Sequence, residues 1–251
     1  MPARNGVAAA TMVAAGFTGV DDVFSGERTF FQAYAAEPDP ARLADGLGQR
    51  FEILGTNIKK WSAGSPAQSA IDALLHLVET TDLTAGMVKA ITVRLPTGSD
   101  RTVDRTPAPD VNIQHLLALL LIDGTLTFRS IHDRERMGDP AILALRARIE
   151  VVPSDELLRA RPRRQAIVEV DTNDGERHSH RVVAVRGTAD NPMDRAEVEA
   201  KARDLMGGVL GRKRSETLIG AIRDLAAVKN LARLRPLWQA ATPRPTTGGE
   251  H

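Results

Sequence analysis

The stretch Asn173-Asp174-Gly175 constrains this chain most. It stands between two runs, Gln165 to Thr172 and Arg177 to Val185, that alternate in polarity. Aspartate followed by glycine accepts the backbone of a tight turn, so the runs are expected to pair as an antiparallel hairpin. Further strands are expected at Lys89 to Pro96 and Ile149 to Pro153, with a short one from Arg50 to Thr56. Around them the periodicity is helical. Asn5 to Ala15 reads as a helix closed by Gly16. Val20 to Ala35 reads as a second, with Phe24, Phe30, Phe31 and Tyr34 as a packing stripe. Ser65 can cap a helix with Pro66 at its first position and Gln68 at capping-box spacing, running on through Ile71, Leu74, Leu75 and Val78. After the polar loop Thr97 to Pro109, a strongly apolar helix is expected from Val111 to Ile122, closed by Asp123-Gly124. Another follows Asp139-Pro140, over Ala141 to Arg148. Asp194 and Glu197 form a capping box that opens helices at 195–206, 214–227 and 229–240.

Helices thus precede and follow a mixed section, which gives an α+β fold. The expected organisation is an α/β domain over 48–190 between helical segments at 1–47 and 191–240, with a disordered tail at 241–251. Aromatic residues are only 4% of the 251, so the core must be built from Leu, Ile, Val and Ala. A net charge of +1 disfavours a nucleic-acid partner, and the basic runs Arg159 to Arg164 and Arg212 to Arg214 read as solvated faces. The lack of cysteine excludes disulfides, thiolate catalysis and metal sites held by Cys. The longest apolar stretch, Leu116 to Ile122, falls far short of the roughly 20 residues that span a bilayer. Val7 to Gly16 lacks the flanks of a secretion signal, so a cytoplasmic protein without membrane association is expected.

No phosphate-binding glycine loop, zinc-protease helix or nucleophile elbow occurs. His178 and His180 share one strand face. Two solvated residues beside a hairpin is the simpler reading and a metal pair the alternative. No metal or cofactor is expected. Two stretches carry more. In Gly55-Thr56-Asn57-Ile58-Lys59-Lys60-Trp61-Ser62-Ala63-Gly64-Ser65-Pro66, two lysines enter a turn that opens a helix. Free N–H groups at such a start favour anions, and a lysine just before them suits a carboxylate or phosphate. Solvated lysines with a packed Trp61 is the competing reading. In Asn112-Ile113-Gln114-His115, polar side chains open a buried helix, which is costly unless they are paired or face a site. His115 could serve there as an acid or base, or be a satisfied structural histidine.

The run Ile58 to Pro66, followed by Gln68-Ser69-Ala70-Ile71-Asp72-Ala73, resembles the lysine turn and helix of the MmgE/PrpD family. Asn112-Ile113-Gln114-His115, Leu121-Ile122-Asp123-Gly124, Asp139-Pro140-Ala141-Ile142, Arg186 to Met193 and Lys201 to Met206 continue the likeness in order. Arg4 to Ala9 and Gly16 to Gly19 are similar to a late part of the family's helical domain. The resemblance implies the carboxy-terminal half of a two-part fold. An α/β lid is flanked by segments of an incomplete all-helical domain, and the active site lies in the cleft between them. It implies a metal-independent lyase-type activity on a small polycarboxylate: dehydration, decarboxylation or epimerisation by proton transfer α to a carboxylate. A homodimer, or a complementing N-terminal helical half, is the implied partner. Lys59 matches the family's active-site lysine. His115 stands where many members have a tyrosine, and Gln68 where many have a histidine. The expected catalytic residues are Lys59 and His115, and the expected substrate contacts are Lys60, Ser65, Gln68 and Gln114. The alternative is a non-catalytic lid serving in assembly or small-anion binding.

Overall fold

The computed structural model describes residues 1–239. The expected tail at 241–251 and the last residue of the helix expected at 229–240 lie outside them. Two compact units divide the chain, one over Met1–Glu52 and the other from Ile53 onward.

In the first unit the expected opening helix is present as α1 (Pro2–Ala14), and Gly16 beyond it adopts a φ of 93°. The expected single helix over 20–35 is not: only α2 (Phe30–Tyr34) forms. The Asp22 carboxylate instead accepts the N–H groups of Phe24 and Ser25 (2.9 and 3.1 Å), and Gly26 turns to positive φ. That local side-chain bond competes with helical pairing. The aromatic stripe survives as a cluster, with ring centroids of Phe24, Phe30, Phe31 and Tyr34 separated by 4.7–6.0 Å. The strand expected over 50–56 is a 3-10 turn at Glu52–Gly55. Without a neighbouring strand, an extended segment there would leave its backbone groups unpaired.

The second unit is α+β. Helix α3 (Gln68–Thr81) precedes β1 (Val88–Pro96). A short helix α4 (Asp100–Val103) interrupts the expected loop, and then comes α5 (Ile113–Asp123). Helices α6 (Phe128–His132) and α7 (Pro140–Arg146) lead into β2 (Ile149–Ser154). Helix α8 (Asp155–Arg159) then leads into the hairpin of β3 (Ala166–Thr172) and β4 (Arg177–Val182). The sheet order is β2-β1-β3-β4, with β1 parallel to β2 and the other pairs antiparallel. The hairpin turns where Gly175 takes a φ of 91°. Helix α3 lies on β3 and β4, and α5 packs against α3 and α7. All of Ile113 to Leu121 is buried, as a helix apolar on every side requires. The largest fully enclosed side chains, among them Ile71, Leu74, Ile91, Leu116, Leu120 and Ile149, are aliphatic. Each stabilises the fold by about 1.5–3 kcal/mol through burial.

Local caps set the helix ends. Asn112 accepts the His115 N–H at 2.9 Å to open α5, and Gly124 closes it at a φ of 72°. Asp139 accepts the Ala141 N–H at 2.8 Å at the head of α7. Helix α9 (Arg195–Leu210) opens with the expected Asp194/Glu197 box, and α10 (Arg212–Arg223) is tied to it by Glu199, which pairs with both Arg203 and Arg223. The last expected helix breaks into a 3-10 turn, Leu231–Leu234, and α11 (Arg235–Trp238). Asn230 caps the first of these, and Pro236 lacks the N–H that an unbroken helix would need. No described helix is long and apolar enough to cross a membrane.

Candidate functional site

The lysine turn is held from several sides. The Ile58 N–H donates to the Gly187 carbonyl at 2.7 Å, and the Gly64 N–H to that of Asp110 at 2.7 Å. Asn57 accepts the Ala189 N–H at 3.3 Å. The Trp61 indole N–H donates to Asp72 on α3 at 2.8 Å, and the other Asp72 oxygen accepts the Arg186 N–H at 3.0 Å. Lys201 reaches over from α9 and donates to the carbonyls of Lys59 and Lys60.

Ser65 does not cap α3 as expected. A 3-10 turn, Ser65–Ala67, comes first and the helix starts at Gln68. Nor does Gln68 complete a capping box. Its amide folds back on the turn, accepting the Trp61 N–H (3.1 Å) and donating to the carbonyls of Trp61 (3.0 Å) and Ala63 (3.1 Å). Closing the lysine turn consumes the side chain that a capping box would need. Gln68 is 2% exposed, so Gln68→Ala would strand buried polar groups and is expected to cost ~2–3 kcal/mol. Thermal melting followed by tryptophan fluorescence checks this. An unchanged melting temperature would mean that the turn holds without Gln68.

The Lys59 ammonium donates to the Ala63 carbonyl at 3.0 Å and keeps two N–H groups for a ligand. It opens onto a small notch of about 30 Å³ lined chiefly by Asn57, Lys59, Ser65, Gln68, Arg164 and Arg186. No carboxylate lines it, and the Arg186 guanidinium is already paired with Glu197 and Asn191. Lys60 points elsewhere. Its ammonium lies 4.8 Å from the Trp61 ring centroid, in a groove of about 480 Å³ shared with Phe128, Glu197, Lys201 and Asp204. Burial, together with the neighbouring Lys59 charge, lowers the Lys201 pKa. Burial raises that of Asp72, against the pull of its bonds to Trp61 and Arg186.

Of the expected site residues, the notch brings together Lys59, Ser65 and Gln68. Gln114 is spent on structure: its amide nitrogen donates to Asp104 and its oxygen accepts the Arg105 N–H at 3.0 Å. His115 is 0% exposed, and neither ring nitrogen has a partner. Burial, reinforced by the charges of Arg146 and Arg136, pulls its pKa down to about 4. His180 stacks on His76 at 3.8 Å and His178 lies 3.4 Å from Glu176, and among the described residues no group of three or more His, Asp or Glu is placed to hold a metal ion. Asp72, Arg164, Arg186 and Lys201 carry no functional signal in the sequence alone. Asp72 could have been suspected from its place one helical turn after Gln68. Lys201 lies 142 residues from the carbonyl it binds, so no spacing rule connects them.

Residues 61–226 match the family model of the MmgE/PrpD C-terminal domain. No curated protein is matched.

Proposed function

Because the chain belongs to the MmgE/PrpD family, we propose that it anchors a small polycarboxylate through Lys59 for lyase-type proton transfer α to a carboxylate. The observation that carries this reading is the lining of the notch, where Lys59 and Arg164 meet Ser65, Asn57 and Gln68 without any acidic side chain. Such a lining favours anions, and its donors suit carboxylate oxygens. Removing a proton α to a carboxylate drives charge onto that carboxylate, and a fixed ammonium beside it lowers the barrier. Lys59 is the group for that role. The base comes from elsewhere, since Gln68 cannot accept a proton and His115 is enclosed. A helical domain of the kind the family resemblance implies would supply it. The exposed apolar side chains of the first unit, such as Phe17, Phe24 and Tyr34, support association with such a domain.

The test is solvent-deuterium exchange into di- and tricarboxylates, followed by proton NMR. It uses the natively purified protein with whatever polypeptide accompanies it, its mass read by light scattering. Lys59→Ala should reduce exchange by about 100-fold or more, as loss of a charge-stabilising donor does, and leave the melting temperature unchanged. Unaltered exchange would remove Lys59 from this role. A second reading, anion binding without turnover, is favoured by the lack of a proton acceptor in the notch. Saturable binding without exchange in any preparation would select it.

A further inference from the structure

We propose that Arg164 is the second cation of this site and sets a preference for ligands bearing two carboxylates. The inference rests on the anion-binding reading of the Lys59 notch. The two cations arrive on different segments, Lys59 on the turn before α3 and Arg164 on the link between α8 and β3. The notch has room for one water-sized polar head, so the rest of a ligand lies outside it. Arg164 is exposed at that opening, and its planar fork suits a second carboxylate there.

The backbone of Arg164 takes a φ of 69°, which an L side chain rarely adopts. The residues on either side are held by local hydrogen bonds. Arg161 donates to the carbonyls of Arg159 and Ala160. Gln165 donates to the Pro162 carbonyl while its oxygen accepts from Arg181. Two nearby guanidiniums are occupied, Arg181 by Gln165 and Glu156 and Arg186 by Glu197. Among the described residues neither Arg163 nor Arg164 forms an ion pair, and of the two only Arg164 lines the notch. An unpaired arginine beside Lys59 in a lining free of acids raises the local positive potential, which a dianion relieves more fully than a monoanion.

Titration of the natively purified protein with glutarate, butyrate and inorganic phosphate tests this. Wild type should prefer glutarate to butyrate by about tenfold or more, the worth of one charge-assisted contact. Arg164→Gly suits the positive φ and should fold at least as stably. It should bring the two affinities within about twofold without weakening butyrate. Arg164→Lys should keep part of the preference. A preference unchanged in Arg164→Gly overturns the role of Arg164 alone, because Lys59 would still hold the anion. Failure of wild type to bind either carboxylate overturns the anion site and this inference together. Phosphate binding tighter than glutarate, and lost in Arg164→Gly, overturns the dicarboxylate class.

Discussion

Gly187→Ala is expected to be among the most damaging single substitutions in this chain. Gly187 has a φ of 90°, and a Cβ built there would stand 1.9 Å from the Ile58 carbonyl oxygen. Left-handed backbone costs an L-residue roughly 1–2 kcal/mol. The clash is with backbone, so no side chain can swing away. Either Ile58 moves, and its 2.7 Å bond to the Gly187 carbonyl breaks, or the Arg186–Asn191 turn opens. Lost hydrogen bonds add to the strain, for a total of ~3–5 kcal/mol. The melting temperature should fall by ~6–20 °C. Because Ile58 directly precedes Lys59, anion binding should fall with it even where the protein stays folded. Gly208 is the control: it lies exposed within α9 with nothing within 4 Å of a built Cβ, so Gly208→Ala should stabilise by ~0.5–1 kcal/mol. Equal melting temperatures for Gly187→Ala and wild type would show that the lysine turn is not pinned at this contact.

That glycine also marks the limit of what the sequence discloses. Elements that rest on local chemistry are legible: the Asp-Gly hairpin, the Asp194/Glu197 box and the strongly apolar α5 stand close to where their patterns put them. Misreadings arise where a side chain had two uses. Asp22 could lie within a helix or close a turn, and its bonds to Phe24 and Ser25 select the turn. Gln68 could cap its helix or staple the lysine turn, and the buried backbone groups of Trp61 and Ala63 take the amide. The site divides in the same way. Lys59 and Ser65 lie six residues apart in one turn and are recognisable together, whereas Arg164, Arg186 and Lys201 join them only through the sheet and α9. The family likeness locates the turn. It says nothing of which distant cations the fold leaves unpaired.

His115 should make the protein acid-sensitive. The ring is enclosed, both nitrogens lack partners, and burial with the nearby Arg146 and Arg136 charges lowers its pKa to about 4, against only a weak opposing pull from Asp133. An unfolded histidine titrates near 6.5, so between pH ~6.5 and ~4 the unfolded chain binds a proton that the folded chain does not. Stability from this residue is therefore complete above the unfolded value and falls as the pH drops through this window, by ~3 kcal/mol in all. His115→Leu is close in volume and has no nitrogen to desolvate. It should equal or exceed wild type at pH 7, because buried unpaired polar atoms cost ~1–3 kcal/mol, and it should lose the slope. Urea midpoints of both proteins from pH 7.5 to 4 measure the difference, carboxylate titrations being common to the pair. Parallel curves would mean that the ring finds a partner or solvent in solution. The same variant decides the chemistry. If His115→Leu still supports deuterium exchange, the histidine belongs to the core of α5 and the base lies on another polypeptide segment. If exchange is lost at unchanged stability, the helix start must open during turnover and bring His115 to the substrate.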